Sequence, residues 1–126
     1  MKIFLISPVA NADLDDENRE EQKRIAVYVA SLEAKGHQVH WPIRDTKQED
    51  PTGGYMICYT NSQAMLDADE IHLWYSETSG GSKFDMGVAF AYVEMMDLKK
   101  KIVRANKDYI CEKKKSLYKV FSYITD

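Results

Sequence analysis

Four short apolar runs, at residues 2–6, 37–41, 70–74 and 101–104, recur along the chain with helical patterns between them, and this alternation most constrains the fold. Strands joined by a helical crossover run parallel, so the pattern predicts an α/β domain built on a parallel sheet with right-handed crossovers. The first run, Lys2 to Ile6, is continuously apolar and ends at Ser7-Pro8, as expected for a central strand covered on both faces. Between residues 15 and 35, the acids Asp15, Asp16 and Glu17 precede Ile25, Tyr28, Val29 and Leu32 at helical spacing, with Gly36 placed as a C-terminal cap. Residues 37–41 alternate towards Pro42 as a short second strand. Residues 42–54, with Pro, Gly, Asp and Thr, read as a loop. A second helix is predicted over 55–67, a third strand over 70–74 and a fourth over 101–104. The closing helix is expected over 116–124, with Leu117, Val120, Phe121 and Ile124 on its inner side. Residues 82–96 are apolar almost all round, which predicts a helix buried against the sheet or another subunit. The expected architecture is one domain, residues 1–126, with an open sheet of four to five parallel strands and helices on both faces.

Composition limits the partners. The chain is 126 residues long, enough for one core, and its 44% hydrophobic and 29% charged residues with six Gly and three Pro are those of a folded globular protein. A formal charge of -3 gives no general attraction for polyanions, so nucleic acid is not an expected partner. The lysines at 99–101 and 113–115 read as solvated surface. Cys58 and Cys111 have neither metal-ligand spacing nor the density of a disulfide framework, which suits reduced thiols in a cytoplasmic protein. The apolar start is cut short by Ser7-Pro8, too soon for a signal peptide. The longest apolar stretch, residues 86–93, falls far below the roughly 20 residues of a membrane span, so no membrane partner is expected.

In open parallel sheets ligands bind beyond the carboxyl ends of the strands, here residues 7–11, 41–54, 75–82 and 105–107. The third of these leads into Ser79-Gly80-Gly81-Ser82-Lys83-Phe84-Asp85-Met86-Gly87. Glycines at a helix start expose backbone N–H groups to a phosphate, and Ser79 and Ser82 add hydroxyl donors. The same residues suit an ordinary glycine-rich turn with Ser82 as N-cap, since the spacing is neither a Walker loop nor the dinucleotide fingerprint. Asp85, three residues beyond Ser82, fits either a capping box or a carboxylate facing a sugar.

Other residues carry weaker signals. His37, His40 and Asp45 lack a sensibly spaced third metal partner, so no metal site is expected. His72 reads as a core or core-edge histidine. Trp41, Tyr55 and Tyr59 fit either base stacking or rim packing. Glu77 is a candidate second acid or a solvated loop residue, and Tyr109, Tyr118 and Tyr123 receive no role.

Three segments together resemble the nucleoside 2-deoxyribosyltransferase superfamily, which includes hydrolases of deoxynucleoside 5'-monophosphates. They are Ile6-Ser7-Pro8, the run Asn61-Ser62-Gln63-Ala64-Met65-Leu66-Asp67-Ala68-Asp69, and Gly81 to Ala89, within a resemblance covering roughly residues 2–104. The resemblance implies a flavodoxin-like (Rossmann-like) fold, a homodimer or larger homo-oligomer, no cofactor, and a carboxylate that attacks the anomeric carbon of a nucleoside or nucleotide. The family nucleophile, normally Glu, falls on Asp85, and a second carboxylate falls on Asn61. Both depart from the pattern, because Asp is one methylene shorter and Asn carries no titratable proton. The monophosphate hydrolases place a phosphate-binding Ser where this chain has Ser79, whereas the transferases place an Asp. Together with Trp41 as a stacking candidate, the expected site is Asp85 and Asn61 as catalytic residues, with Ser7, Pro8, Trp41, Ser79, Gly80, Gly81 and Ser82 binding substrate. The implied function is that of an N-glycosidase, a hydrolase, or a deoxyribosyltransferase; the altered carboxylates also fit a nucleotide-binding or sensing module without efficient turnover. A fold of this kind with no small-molecule role, in which Ser82 and Asp85 merely cap a helix, is a third reading.

Overall fold

The computed structural model describes residues 1–8 and 16–125. The elements in chain order are β1 (Lys2–Ile6), α1 (Asp16–Ala34), β2 (Gln38–His40), α2 (Pro42–Asp45), α3 (Tyr55–Asp67), β3 (Glu70–Leu73), α4 (Gly80–Phe90), a π-helical turn (Ala91–Met95), β4 (Lys101–Arg104) and α5 (Leu117–Thr125). Four strands form a wholly parallel sheet in the order β2-β1-β3-β4. Phe4 pairs with His40 on one side and Ile71 on the other, and Ile71 pairs in turn with Ile102. The fold is the expected α/β, flavodoxin-like one.

Alternation along the strands divides the core in two. Phe4, Ile6, Ile71 and Leu73 pack with Met65 of α3, Met86 and Ala89 of α4, and Tyr118 and Phe121 of α5. On the other face Ile3, Leu5 and Val39 pack with Ile25, Val29 and Leu32 of α1. β1 therefore faces apolar side chains on both sides, which is why its sequence shows no polar alternation. Among the described residues, no helix is long and apolar enough to cross a membrane.

Three local expectations are corrected, and a fourth, for residues 82–96, keeps only part of its burial within the single chain. The stretch read as a loop opens with α2, where Pro42 occupies the first helical turn and the Asp45 carboxylate accepts the Trp41 backbone N–H at 2.8 Å. Helix α4 starts at Gly80 rather than Ser82, and its N-cap is Ser79, whose Oγ accepts the Ser82 N–H at 3.2 Å. The capping-box reading of Ser82 and Asp85 therefore fails. The apolar segment 82–96 is not enclosed all round within one chain: Ser82, Asp85, Met86 and Ala89 are buried, whereas Phe84 is 48% exposed and Met95 71% exposed. Finally, α5 buries Tyr118 and Phe121 and leaves Leu117 and Val120 in solvent. Arg104 of β4 sets this rotation, donating to Tyr118 Oη, Ser122 Oγ and Thr125 Oγ1 along one side of the helix.

Candidate active site

Every strand points the same way, so the carboxyl ends of β1, β2, β3 and β4 gather at one edge of the sheet. A cleft of about 430 Å³ opens there, between Pro8 after β1, Asn18, Glu21 and Gln22 of α1, Gln48, Ile57 of α3, and Ser76 and Thr78 to Gly81 after β3. A second hollow of about 310 Å³ shares Asn18, Glu21, Ser76 and Thr78 with it and is walled by Trp74, Tyr75, Glu77, Asn106 and Tyr109.

The lip of the cleft is the N-terminus of α4. Ser79 Oγ is engaged as an acceptor by the Ser82 N–H, but its own hydrogen remains free to be donated. A Cβ added at Gly80 or Gly81 would meet nothing within 4 Å, and neither residue has a positive φ. Neither packing nor backbone geometry demands glycine at these two positions. What glycine leaves open is the space beside the first N–H groups of the helix, which have no partner within it. Ser82 lies inward and is 2% exposed, with its Oγ buried and unpartnered. Ser7 is buried at the end of β1, and Pro8 is held there by Gln22, whose Nε2 donates to its carbonyl at 2.9 Å.

Asp85 lies one turn beyond Gly81 on the buried stripe of α4, and Asn61 one turn beyond Ile57 on α3. Helical side chains lean towards the helix N-terminus, so both lean towards residues that line the cleft, without lining it themselves. Asp85 is 8% exposed, has no hydrogen-bond partner among the described residues, and is pushed up to about 7 by burial. Asn61 is buried and differently placed: its Oδ1 accepts the Thr46 hydroxyl at 2.7 Å, and Thr46 Oγ1 lies 2.8 Å from His40 Nε2. Burial lowers the His40 pKa, which keeps the ring neutral at pH 7.

No family model matches the chain, and no curated protein matches its sequence. Similarity appears among solved structures. The 2-deoxyribosyltransferase of the psychrotolerant bacterium Bacillus psychrosaccharolyticus superposes with a TM-score of 0.61 at 17% identity, over 88% of this chain and 77% of that one. The CMP N-glycosidase of Clostridium botulinum superposes with a TM-score of 0.52, also at 17% identity, over 98% of this chain and 99% of that one. This chain shares their fold. At such identity the likeness concerns the path of the backbone, and the chemistry rests on this chain's own side chains.

Several expected residues fall elsewhere. Trp41 does not line the cleft: it packs on the α1 side of the core beneath Arg44, 5.9 Å from its ring, with Nε1 buried and unpartnered. Tyr55 and Tyr59 stack on each other at 6.2 Å on the exposed side of α3. Glu77 is a clasp rather than a free acid. It accepts from Lys113 Nζ at 2.5 Å, Tyr75 Oη at 2.8 Å and Tyr109 Oη at 3.5 Å, and the Lys113 bond holds its carboxyl below the usual range. Tyr75, Tyr109 and Tyr118 form one ring cluster behind it, and Tyr123 is exposed.

The candidate metal ligands diverge. His37 meets the N-terminal ammonium, His40 meets Thr46, and Asp45 meets Arg44 and the Trp41 N–H. Among the described residues no group of three His, Cys, Asp or Glu side chains is placed to hold a metal. His72 is a core histidine, bonded to Tyr28 Oη at 2.5 Å and Glu70 Oε1 at 2.9 Å. Both cysteines are free thiols. Sequence reasoning missed Asn18, Glu21, Gln22, Gln48, Ile57 and Thr46. The first three carried a signal, since they open a helix that follows the central strand; an isolated Thr46 or Gln48 carried none.

Proposed function

We propose that this chain cleaves the base-sugar bond of a nucleoside 5'-monophosphate or a related nucleotide. One observation carries the reading: a buried, unpartnered carboxyl group sits one turn inside a glycine-lined helix N-terminus that opens on a cleft. Ser79 Oγ and the N–H groups of Gly80 and Gly81 would hold the phosphate, against which the Asp alternative of the transferases would be repulsive. Ser7 and Pro8 at the end of β1 would complete that end, with the buried, unpartnered Ser82 hydroxyl beneath it. Phosphate anchored at the lip leaves the sugar nearest the start of the Asp85 turn.

The ionised Asp85 carboxylate then bonds to the anomeric carbon as the C–N bond breaks. The base departs with the bonding pair and takes its proton from solvent, because Asn61 has none to give. Water, or another base, displaces the carboxylate in the second step. The structural neighbours, a deoxyribosyltransferase and a CMP N-glycosidase, accord with this chemistry. The exposed Phe84, Met95 and Met96, with Tyr55, Met56 and Tyr59 on α3, suit cover by a second copy of the chain, and the proposal includes a homo-oligomer.

A second reading is favoured by the protonation of Asp85. A carboxyl held near 7 and set back from the cleft suits a module that binds nucleotide without turnover. Incubation with deoxyribo- and ribonucleoside monophosphates, with free base followed by chromatography, separates the two. Base release lost in Asp85→Ala supports the enzyme. Binding without release supports the module, and neither binding nor release across the panel rejects both.

A further inference from the structure

We propose, resting on the nucleotide-cleaving reading above, that Glu21 is a second catalytic carboxyl group, the general base that takes a proton from the water that frees the sugar from Asp85. Double displacement at a sugar carbon uses a pair of carboxyl groups flanking the bond that breaks. Asp85 supplies one, and Asn61 holds no acid with which to supply the other.

Three observations single out Glu21. Of the described residues that line the cleft it is the one with a titratable side chain, and it stands on the wall that the cleft shares with the second hollow. Glu77 and Asp108 border the second hollow only, and Glu77 is already bonded to Lys113. Next, Glu21 Oε1 accepts the Trp74 indole N–H at 3.1 Å, which fixes the head group, and Oε2 has no partner among the described residues. An indole is a neutral donor, so it orients the carboxylate without cancelling its charge and leaves one oxygen to receive a proton.

The third observation is placement across the sheet. Helix α1 packs through Ile25 and Val29 on one face, and α4 through Met86 and Ala89 on the other. Glu21 lies one turn before Ile25 on the same side of α1, and Asp85 lies next to Met86. Both helices begin at the edge where the cleft opens, so the two side chains lean towards that edge from opposite faces of the sheet. A sugar seated between them meets Asp85 from one side and Glu21 from the other.

In the first step the Asp85 oxygen bonds to the anomeric carbon, the C–N bond breaks, and the base leaves with the bonding pair and is protonated by solvent. In the second, water enters on the side the base has left, its oxygen bonds to the anomeric carbon, and the bond to Asp85 breaks. The water proton passes to Glu21 Oε2, which then releases it to solvent. Glu21 acts only after the base has gone, so its loss falls on the second step.

Glu21→Gln removes the base but keeps an acceptor for Trp74. With the monophosphate that the wild type cleaves fastest, rapid-quench assays should show one equivalent of base released per Glu21→Gln chain at near the wild-type rate. Turnover after this burst should be at least about 100-fold slower than in the wild type. Intact mass spectrometry should find the sugar phosphate attached to the stalled protein. Sodium azide should restore turnover and yield the sugar azide, because azide attacks with no proton to lose. Glu20→Gln, whose side chain is exposed and paired with Lys23 at 3.1 Å, should behave as wild type. If Glu21→Gln does not fold, Glu21→Asp sets the base one methylene back and should keep the burst while slowing the second phase. Unchanged turnover in the Glu21 variant, loss of the burst in a folded variant, no gain with azide, or equal slowing by Glu20→Gln overturns the proposal and leaves the cleavage reading standing. Wild-type protein that releases no base from any monophosphate rejects the cleavage reading, and the role of Glu21 falls with it.

Discussion

Asp85 shows what a single side chain can cost the molecule that holds it. Between the ordinary value of 3.8 and about 7, the folded chain binds a proton that the unfolded chain releases, so Asp85 adds stability as pH falls through that window. Above 7 the ionised, buried carboxylate opposes folding, by roughly 4 kcal/mol when the whole difference is counted at 1.36 kcal/mol per pH unit. Asp85→Asn is therefore expected to stabilise the fold by about 2–4 kcal/mol at pH 8.5 and to change it little at pH 4, read from urea unfolding at each pH. Equal effects at both pH values would mean that the carboxyl is solvated. If the same group is the nucleophile, base release should rise with pH through about 7 and then level off, because only the ionised form attacks. Its place was legible in the sequence from the helix pattern; its protonation was not, since burial depends on what the neighbouring α3 and β1 bring against α4.

At the scale of elements, the start of α4 serves both folding and binding, and substitution can pull these apart. Ser79→Ala removes the N-cap and should lower stability by about 1 kcal/mol. Ser79→Asp keeps a good cap and a favourable charge for the helix, so the melting temperature should hold, while binding of a 5'-monophosphate should fall at least tenfold by repulsion. Calorimetry beside a binding titration checks both, and equal losses of stability and affinity in Ser79→Asp would count against a phosphate at this lip. Elements with strong local periodicity were readable: β1, α3 and β4 lie where their patterns predict, and Gly36 ends α1 with a φ of 90°. The misread ones were governed by partners elsewhere. Pro42 looked like a strand breaker and turned out to start α2. α5 took its rotation from Arg104, which no periodicity within residues 117–125 records.

For the whole molecule, the sheet order β2-β1-β3-β4 places β1 between two later strands, which brings Pro8, the α4 lip and Asn106 to one edge. Alternating strands and helices made this edge predictable, but not the distant pairs across it, such as Thr46 with Asn61 or Glu77 with Lys113. The proposed oligomer is tested at this scale. Phe84→Glu, on the exposed side of α4, should shift sedimentation from dimer or larger to monomer and lower the melting temperature to a value that no longer depends on protein concentration, because association stabilises the folded chain. Monomeric wild-type protein at micromolar concentration would reject that part of the proposal.

The chain has two tryptophans, and only Trp74 borders the paired hollows, its Nε1 donating to Glu21 at 3.1 Å across from the Tyr75 and Tyr109 rings. Trp41 stands apart under Arg44. With Trp41→Phe the protein would keep a single indole beside the cleft, and its fluorescence would act as an intrinsic, label-free reporter of whatever enters.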